Sequence, residues 1–253
     1  MAYEVLSRVQ PRDVTFRNYS SQQASDYNEG RIGYSESLID LIMRHHKSTN
    51  GQTGTVLDIG CGPGTATRLF APHFDVAYGA DPGASMIETA TSLVGESRSG
   101  APILYKLSTA ENIDKIDGIA HSSVDMITAA TCAHWFEMPK FWAAAAKKIR
   151  RDTFVRHELP ATENVITGAE KTKGEEPSEE KLERQLQKLE RLVVTRGAVT
   201  RWQKENPELV GTKDDCVQVL MQKVRKAAES GESIDLSVLA AERTVALLLV
   251  KRN

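Results

Sequence analysis

The stretch Thr55-Val-Leu-Asp-Ile-Gly-Cys-Gly-Pro-Gly-Thr65 decides how this chain is read. A short apolar run ends in an acidic residue and a glycine-rich turn, and a helix-like segment over residues 65–72 follows. Strand, glycine turn and helix in that order open an α/β sheet whose first turn lies against a nucleotide-like ligand. Glycines 60, 62 and 64 let the backbone turn tightly and approach a ligand that any Cβ would hold off. Loop N–H groups and the start of the following helix would then face the ligand's polar atoms. The spacing is G-x-G-x-G and not the dinucleotide G-x-G-x-x-G, which disfavours a nicotinamide-dependent oxidoreductase. A purely structural turn is the plain alternative.

Outward from this loop, strands and helices alternate. Residues 37–43 carry the broad apolar face of a helix that packs on a sheet. Residues 75–80, 103–107 and 123–130 read as the second to fourth strands. Residues 84–93 read as a helix, and 138–149 as an alanine-rich one of good propensity. Such alternation implies parallel pairing and right-handed crossovers, hence a doubly wound, mostly parallel α/β sheet. Beyond residue 151 the composition changes. Residues 162–180 are polar with few apolar anchors and read as a mobile surface segment. Residues 181–194, 200–206 and 214–229 have helical patterns, and 244–250 reads as a buried closing strand.

The totals narrow the class. A chain of 253 residues, 40% apolar and 26% charged, can bury a full core in one large or two small domains. A net charge of −2 gives no basic field for nucleic acid or an anionic membrane. No apolar run has the length of a membrane span, and the first ten residues lack a secretory pattern. Three cysteines, Cys61, Cys132 and Cys216, are odd in number and unpaired in spacing, which implies reduced thiols, no structural metal and a cytoplasmic setting.

Asp81, at the end of the second strand, is placed to accept bonds from both hydroxyls of a ribose, or to cap the helix that starts near Ala84. Residues 128–136, Thr-Ala-Ala-Thr-Cys-Ala-His-Trp-Phe, carry small residues at a strand end into His134 and Trp135. There an imidazole and an aromatic face would stand at a pocket mouth, with His134 a candidate base or hydrogen-bond donor. The alternative is that Trp135, Phe136 and Trp142 are core of the next helix.

The string Asp58-Ile-Gly-Cys-Gly-Pro-Gly64, with Asp81-Pro82 following, resembles motif I of the class I S-adenosylmethionine-dependent methyltransferases. With Ala110-Glu111, Ala133-His-Trp-Phe136, the lead-in Tyr27/Arg31/Tyr34 and the tail 198–209, the chain resembles the trans-aconitate methyltransferase-like group. The resemblance implies a Rossmann-like fold and S-adenosyl-L-methionine as cofactor. It implies a cofactor site of Asp58, Gly60, Cys61, Gly62, Gly64, Asp81 and Thr128. Ala110 and Glu111 would lie beside the adenine, and Arg31 would meet the cofactor's carboxylate with its fork geometry. His134 and Trp135 would face a small-molecule acceptor, a carboxylate or hydroxyl, in secondary metabolism.

The chain departs from the group between residues 149 and 180. The usual Arg-Pro-Gly-Gly turn is missing, and the candidate fifth strand, 153–155, is very short. A central strand therefore looks lost, unless 153–157 or 244–250 moves into the gap. The expected division is a cofactor-covering segment 1–54, a binding core 55–151, a linker 152–180 and an abridged helical cap with closing strands 181–253. A cofactor-binding protein that no longer methylates is the competing expectation.

Overall fold

The computed structural model describes residues 16–30, 33–149, 153–159, 179–195, 197–229 and 245–251. Four parallel strands form the central sheet: β1 (Thr55–Ile59), β2 (Val76–Asp81), β3 (Leu104–Leu107) and β4 (Met126–Thr128), in the order β3-β2-β1-β4. With β1 in the centre, every side chain from Val56 to Ile59 is buried, as a strand covered on both faces requires.

Alternate residues of the strands feed two cores. Val56, Ala77, Ile103 and Met126 pack with Leu38, Ile39, Ile42 and Met43 of α2 (Glu36–Ser48) and with Ala66 and Phe70 of α3 (Thr65–Phe70). Leu57, Ile59, Tyr78 and Ala80 face the other way, against Ile113, Ile116 and Ile119 and against Phe141, Ala144 and Ala145 of α5 (Met138–Lys148). Helices thus cover both faces, and the expected doubly wound α/β sheet is present. Helix α2 starts at Ser35, whose hydroxyl accepts the Leu38 N–H at 3.2 Å, and runs five residues beyond the apolar pattern to a last turn of His45, His46 and Lys47.

The helices beyond the sheet form a layer of their own. Leu186 and Val193 of α6 (Glu179–Val194) pack on Val217, Met221 and Val224 of α8 (Cys216–Glu229), with α7 (Gly197–Glu205) between them in the chain. Arg225 closes a two-pronged ion pair on Glu183 at 2.8 and 3.0 Å. Helix α1 (Ser21–Gly30) joins this layer to α4 (Ala84–Ser92) of the sheet domain. Gly30 is the point of closest approach: a Cβ there would stand 2.5 Å from the Arg191 carbonyl and 2.8 Å from Thr195 Cγ2. Just ahead of α1, the Tyr19 carbonyl accepts from Ser85 Oγ at 2.6 Å, and its hydroxyl meets Thr200 Oγ1 at 3.0 Å.

One expectation changes. The fifth strand is not a three-residue fragment: β5 (Thr153–Leu159) spans seven residues and pairs antiparallel along its length with β6 (Val245–Lys251). Neither strand moves into the parallel sheet, in keeping with the expected incomplete sheet: among the described residues it has four strands, and β5 and β6 form a two-stranded sheet of their own. Only a single parallel bridge, Val124 to Ile149, continues β4's outer edge. Of residues 162–180, expected to be a mobile surface segment, 162–178 lie outside the described residues and 179–180 begin α6.

Phe74 has no exposed surface and stands between the turn after α3 and the ring of His46, 5.8 Å away. Phe74→Ala is expected to lower stability by about 3–5 kcal/mol, read from the denaturation midpoint at unchanged slope.

Candidate functional site

The chain leaves β1 through a turn that only glycines make without strain. Gly60, Gly62 and Gly64 have φ of +63°, +53° and +80°. The N–H groups of Gly60 and Cys61 both reach the Ala80 carbonyl, at 2.7 and 3.1 Å, so the turn hangs from the end of β2. At Gly60 a Cβ would strike Cys132, 2.7 Å from its Sγ, while at Gly62 nothing lies within 4 Å. Gly60 is thus packed against protein, and Gly62 presents bare backbone to open space.

Asp81 ends β2. Its Oδ2 accepts the Gly62 N–H at 2.9 Å, and its Oδ1 accepts the Gly83 N–H at 2.8 Å. The carboxylate therefore bonds Gly83, the N-cap of α4, without itself capping the helix, and holds the tip of the glycine turn as well. Burial raises its pKa, while the bonds from Gly83 and Gly62 and the charge of Arg17 pull the other way.

Asp58 points inward. Its two oxygens accept from Thr67 Oγ1 at 2.6 Å and Thr128 Oγ1 at 2.7 Å, which ties β1 to the start of α3 and to the end of β4. Burial raises its pKa to about 6, against the opposing effect of the two threonine bonds. The structure thus brings Asp58 and Thr128 together beneath the turn. Cys61 is buried there too, and burial pushes its thiol well above the ordinary range.

Ala110 begins a 3-10 turn, Ala110–Lys115, beyond β3. Glu111 Oε1 accepts the Glu137 N–H at 2.9 Å, so this carboxylate anchors the start of α5. A groove of about 460 Å³ lined by Thr109, Glu111, Asn112 and Lys140, among others, runs between that corner and α5. Beyond β4, His134 and Trp135 stand exposed in the 3-10 turn Ala133–Trp135, their rings 4.8 Å apart. Partial burial lowers the His134 pKa and favours the neutral imidazole. The aromatic cluster divides: Phe136 and Trp142 pack on Phe141 and the core, and Trp135 remains 38% exposed. Arg31 lies outside the described residues.

Three residues within the quoted stretches take parts at the site that their motifs do not announce. Cys132 donates its thiol to the Ile59 carbonyl at 3.0 Å. Thr131, a β-branched residue, holds φ of +58°, a conformation such residues rarely take outside strained positions. Its hydroxyl stands 3.4 Å from that of Tyr34, whose pKa burial pushes up to about 12. Only the proximity of Thr131 to the end of a strand beside the glycine turn could have drawn attention to it.

Residues 56–152 match the family profile described as a methyltransferase domain. A probable S-adenosylmethionine-dependent methyltransferase of Saccharomyces cerevisiae, CRG1, is 31% identical over 130 residues, which are 51% of this chain and 43% of that one. A Dictyostelium discoideum protein, also named as a methyltransferase, is 30% identical over 142 residues, 56% of this chain and 49% of its own. The chain thus spans less than half the length of these relatives. The YcgJ protein of Bacillus subtilis is 25% identical and aligns over 49% of this chain and 50% of its own, at a TM-score of 0.37. The matched segment is thus similar to proteins named as methyltransferases, one of them as S-adenosylmethionine-dependent. No described helix is long and apolar enough to cross a membrane.

The raised pKa of Asp58 has a thermodynamic sign. Between about pH 4 and 6 the unfolded chain ionises this carboxyl while the folded one resists, so its contribution to stability falls as pH rises through that window. The difference is on the order of 3 kcal/mol for a shift of this size. Asp58→Asn, which carries no charge and can accept from one threonine while its amide nitrogen donates to the other, is expected to remove that part of the decline. Urea unfolding of both proteins at pH 4 and pH 7 measures it.

Proposed function

We propose that this chain transfers the methyl group of S-adenosylmethionine to an oxygen of a small molecule, a carboxylate or a hydroxyl, within the trans-aconitate methyltransferase-like group. The observation that carries the proposal is the bare backbone at Gly62, with open space where a Cβ would stand, beside a carboxylate at the end of β2. That is the cradle a nucleoside-bearing ligand needs: a closely approachable peptide and an acceptor for paired hydroxyls. Asp81 already holds two N–H groups, and the remaining lone pair on each oxygen would receive the ribose.

When bound, the cofactor supplies an activated methyl on a sulfonium, so the protein's work is alignment and exclusion of water. The turn Gly60–Gly64, with Cys61 and the Asp58–Thr128 pair beneath it, would set the cofactor's position. Ala110 and Glu111 would border the adenine, and Arg31 its carboxylate. Glu111 enters with one oxygen already bonded to Glu137, so its part in that role is shared with anchoring α5. The exposed His134 and Trp135 would meet the acceptor. A carboxylate acceptor is ionised at neutral pH and needs no base. A hydroxyl would use His134, whose neutral form is the one favoured. Residues 1–54 and 181–253 would cover the core 55–151, and secondary metabolism in the cytoplasm is the setting that fits.

One observation supports a second reading. With β5 paired to β6 and outside the parallel sheet, the acceptor side is built differently from the expected one, as in a protein that binds cofactor without methylating. Calorimetry with S-adenosylhomocysteine is expected to show binding with an upward shift of the melting temperature. Asp81→Ala should weaken that binding roughly tenfold or more, the loss of about one hydrogen bond to a charged group. Gly62→Ala should weaken it comparably while the protein stays folded. Absence of binding by the wild-type chain rejects both readings. Binding without turnover over a panel of small acids and phenols selects the second.

A further inference from the structure

The glycine turn rests on a residue that no motif marks. Tyr105 stands on β3 in register with Gly79 of β2. Its ring crosses Gly79 so closely that a Cβ there would lie 2.7 and 2.8 Å from ring carbons Cδ1 and Cε1. The ring continues beneath the turn, where a Cβ on Gly64 would meet the Tyr105 hydroxyl and stand 2.9 Å from Cζ. The same Gly64 position is 3.0 Å from Arg68 Nη1, and that nitrogen donates to the Pro63 carbonyl at 2.7 Å. Arg68 is fixed in turn: its Cγ lies 2.9 Å from where a Cβ on Gly95 would be. The Tyr105 oxygen is itself buried, and it lies beside the charge of Arg68 without a hydrogen bond of full geometry. The ring's close packing against Gly79 and Gly64 is what this residue contributes.

We infer that Tyr105 and Arg68 form a brace that sets the height of the turn Pro63–Gly64, making Tyr105 a positioning residue for the cofactor loop. The inference rests on the cofactor reading above for its consequence, but not for its geometry. A ring wedged between Gly79 of β2 and Gly64 of the turn fixes the separation of the β2 surface from the turn. Arg68 then clamps the turn's carbonyl from the first helical turn of α3. Without the ring, the turn would sink or loosen by a few tenths of an ångström to an ångström, the scale on which positioning loses efficiency.

Two measurements test this. Hydrogen exchange of the ligand-free protein reads the brace directly. Y105L should exchange at least about tenfold faster over residues 60–68 with residues 138–148 unchanged, and R68M should do the same at about threefold. Titration with S-adenosylhomocysteine reads the consequence: Y105L should bind at least about tenfold more weakly, and Y105F, which keeps the ring, within about threefold of wild type. Unchanged exchange over residues 60–68 in both Y105L and R68M overturns the inference, as does a Y105F protein as impaired as Y105L. If Y105L does not fold, R68M decides the exchange arm. If the wild-type chain does not bind S-adenosylhomocysteine, the cofactor reading falls, and the exchange arm still decides the brace.

Discussion

A carboxylate buried beneath a glycine turn is the constraint around which the sheet domain is arranged. Asp58 has 1% of its surface exposed, and a buried charge is tolerable only if its oxygens are bonded. Thr67 and Thr128 supply those bonds from two different elements, so satisfying one side chain fixes the start of α3 and the end of β4 relative to β1. The glycine turn must then span a gap whose edges are already set. Its left-handed glycines, the two N–H groups on the Ala80 carbonyl and the grip of Asp81 on Gly62 are the means of spanning it. Burial raises the pKa of Asp58 despite both bonds, as expected where two hydroxyls replace the water around a carboxylate only in part.

The sequence announced the loop, the order of elements and the sheet class because each rests on local chemistry. Glycine spacing reports backbone freedom, and apolar runs report strands covered on two faces. What it could not announce depends on direction and distance. That Asp58 faces α3 follows from strand alternation, but its threonine partners sit 9 and 70 residues away. Tyr105 reads as one aromatic in a short strand until the register with Gly79 is known. Glu111 looks like a ligand to a purine and is also the anchor of the Glu137 N–H. In the stretch His134-Trp135-Phe136, neighbouring aromatics part company, one outside and one in the core, because a 3-10 turn ends between them.

The largest misreading concerned the fifth strand. Thr153, Phe154 and Val155 have strand propensity, while Arg156, His157 and Glu158 do not advertise burial, so only the first three looked extended. Full-length pairing with Val245–Lys251 shows that a cross-strand partner decides extent where propensity does not. The partner's apolar run, Val-Ala-Leu-Leu-Leu-Val, lies some ninety residues along the chain and carries no sign of which strand it will choose.

The bond between Tyr19 and Thr200 joins residues 181 positions apart, and Gly30 meets Arg191 across a similar span. By contrast, the β1 and β2 partners are 21 positions apart. Closing the longer loops costs more chain entropy and brings its reward only once both surfaces exist. Helix α1 is thus an early residue of the chain and a late participant in its folding, a keystone set after the walls. During synthesis it must wait, already translated, for the helices that will hold it.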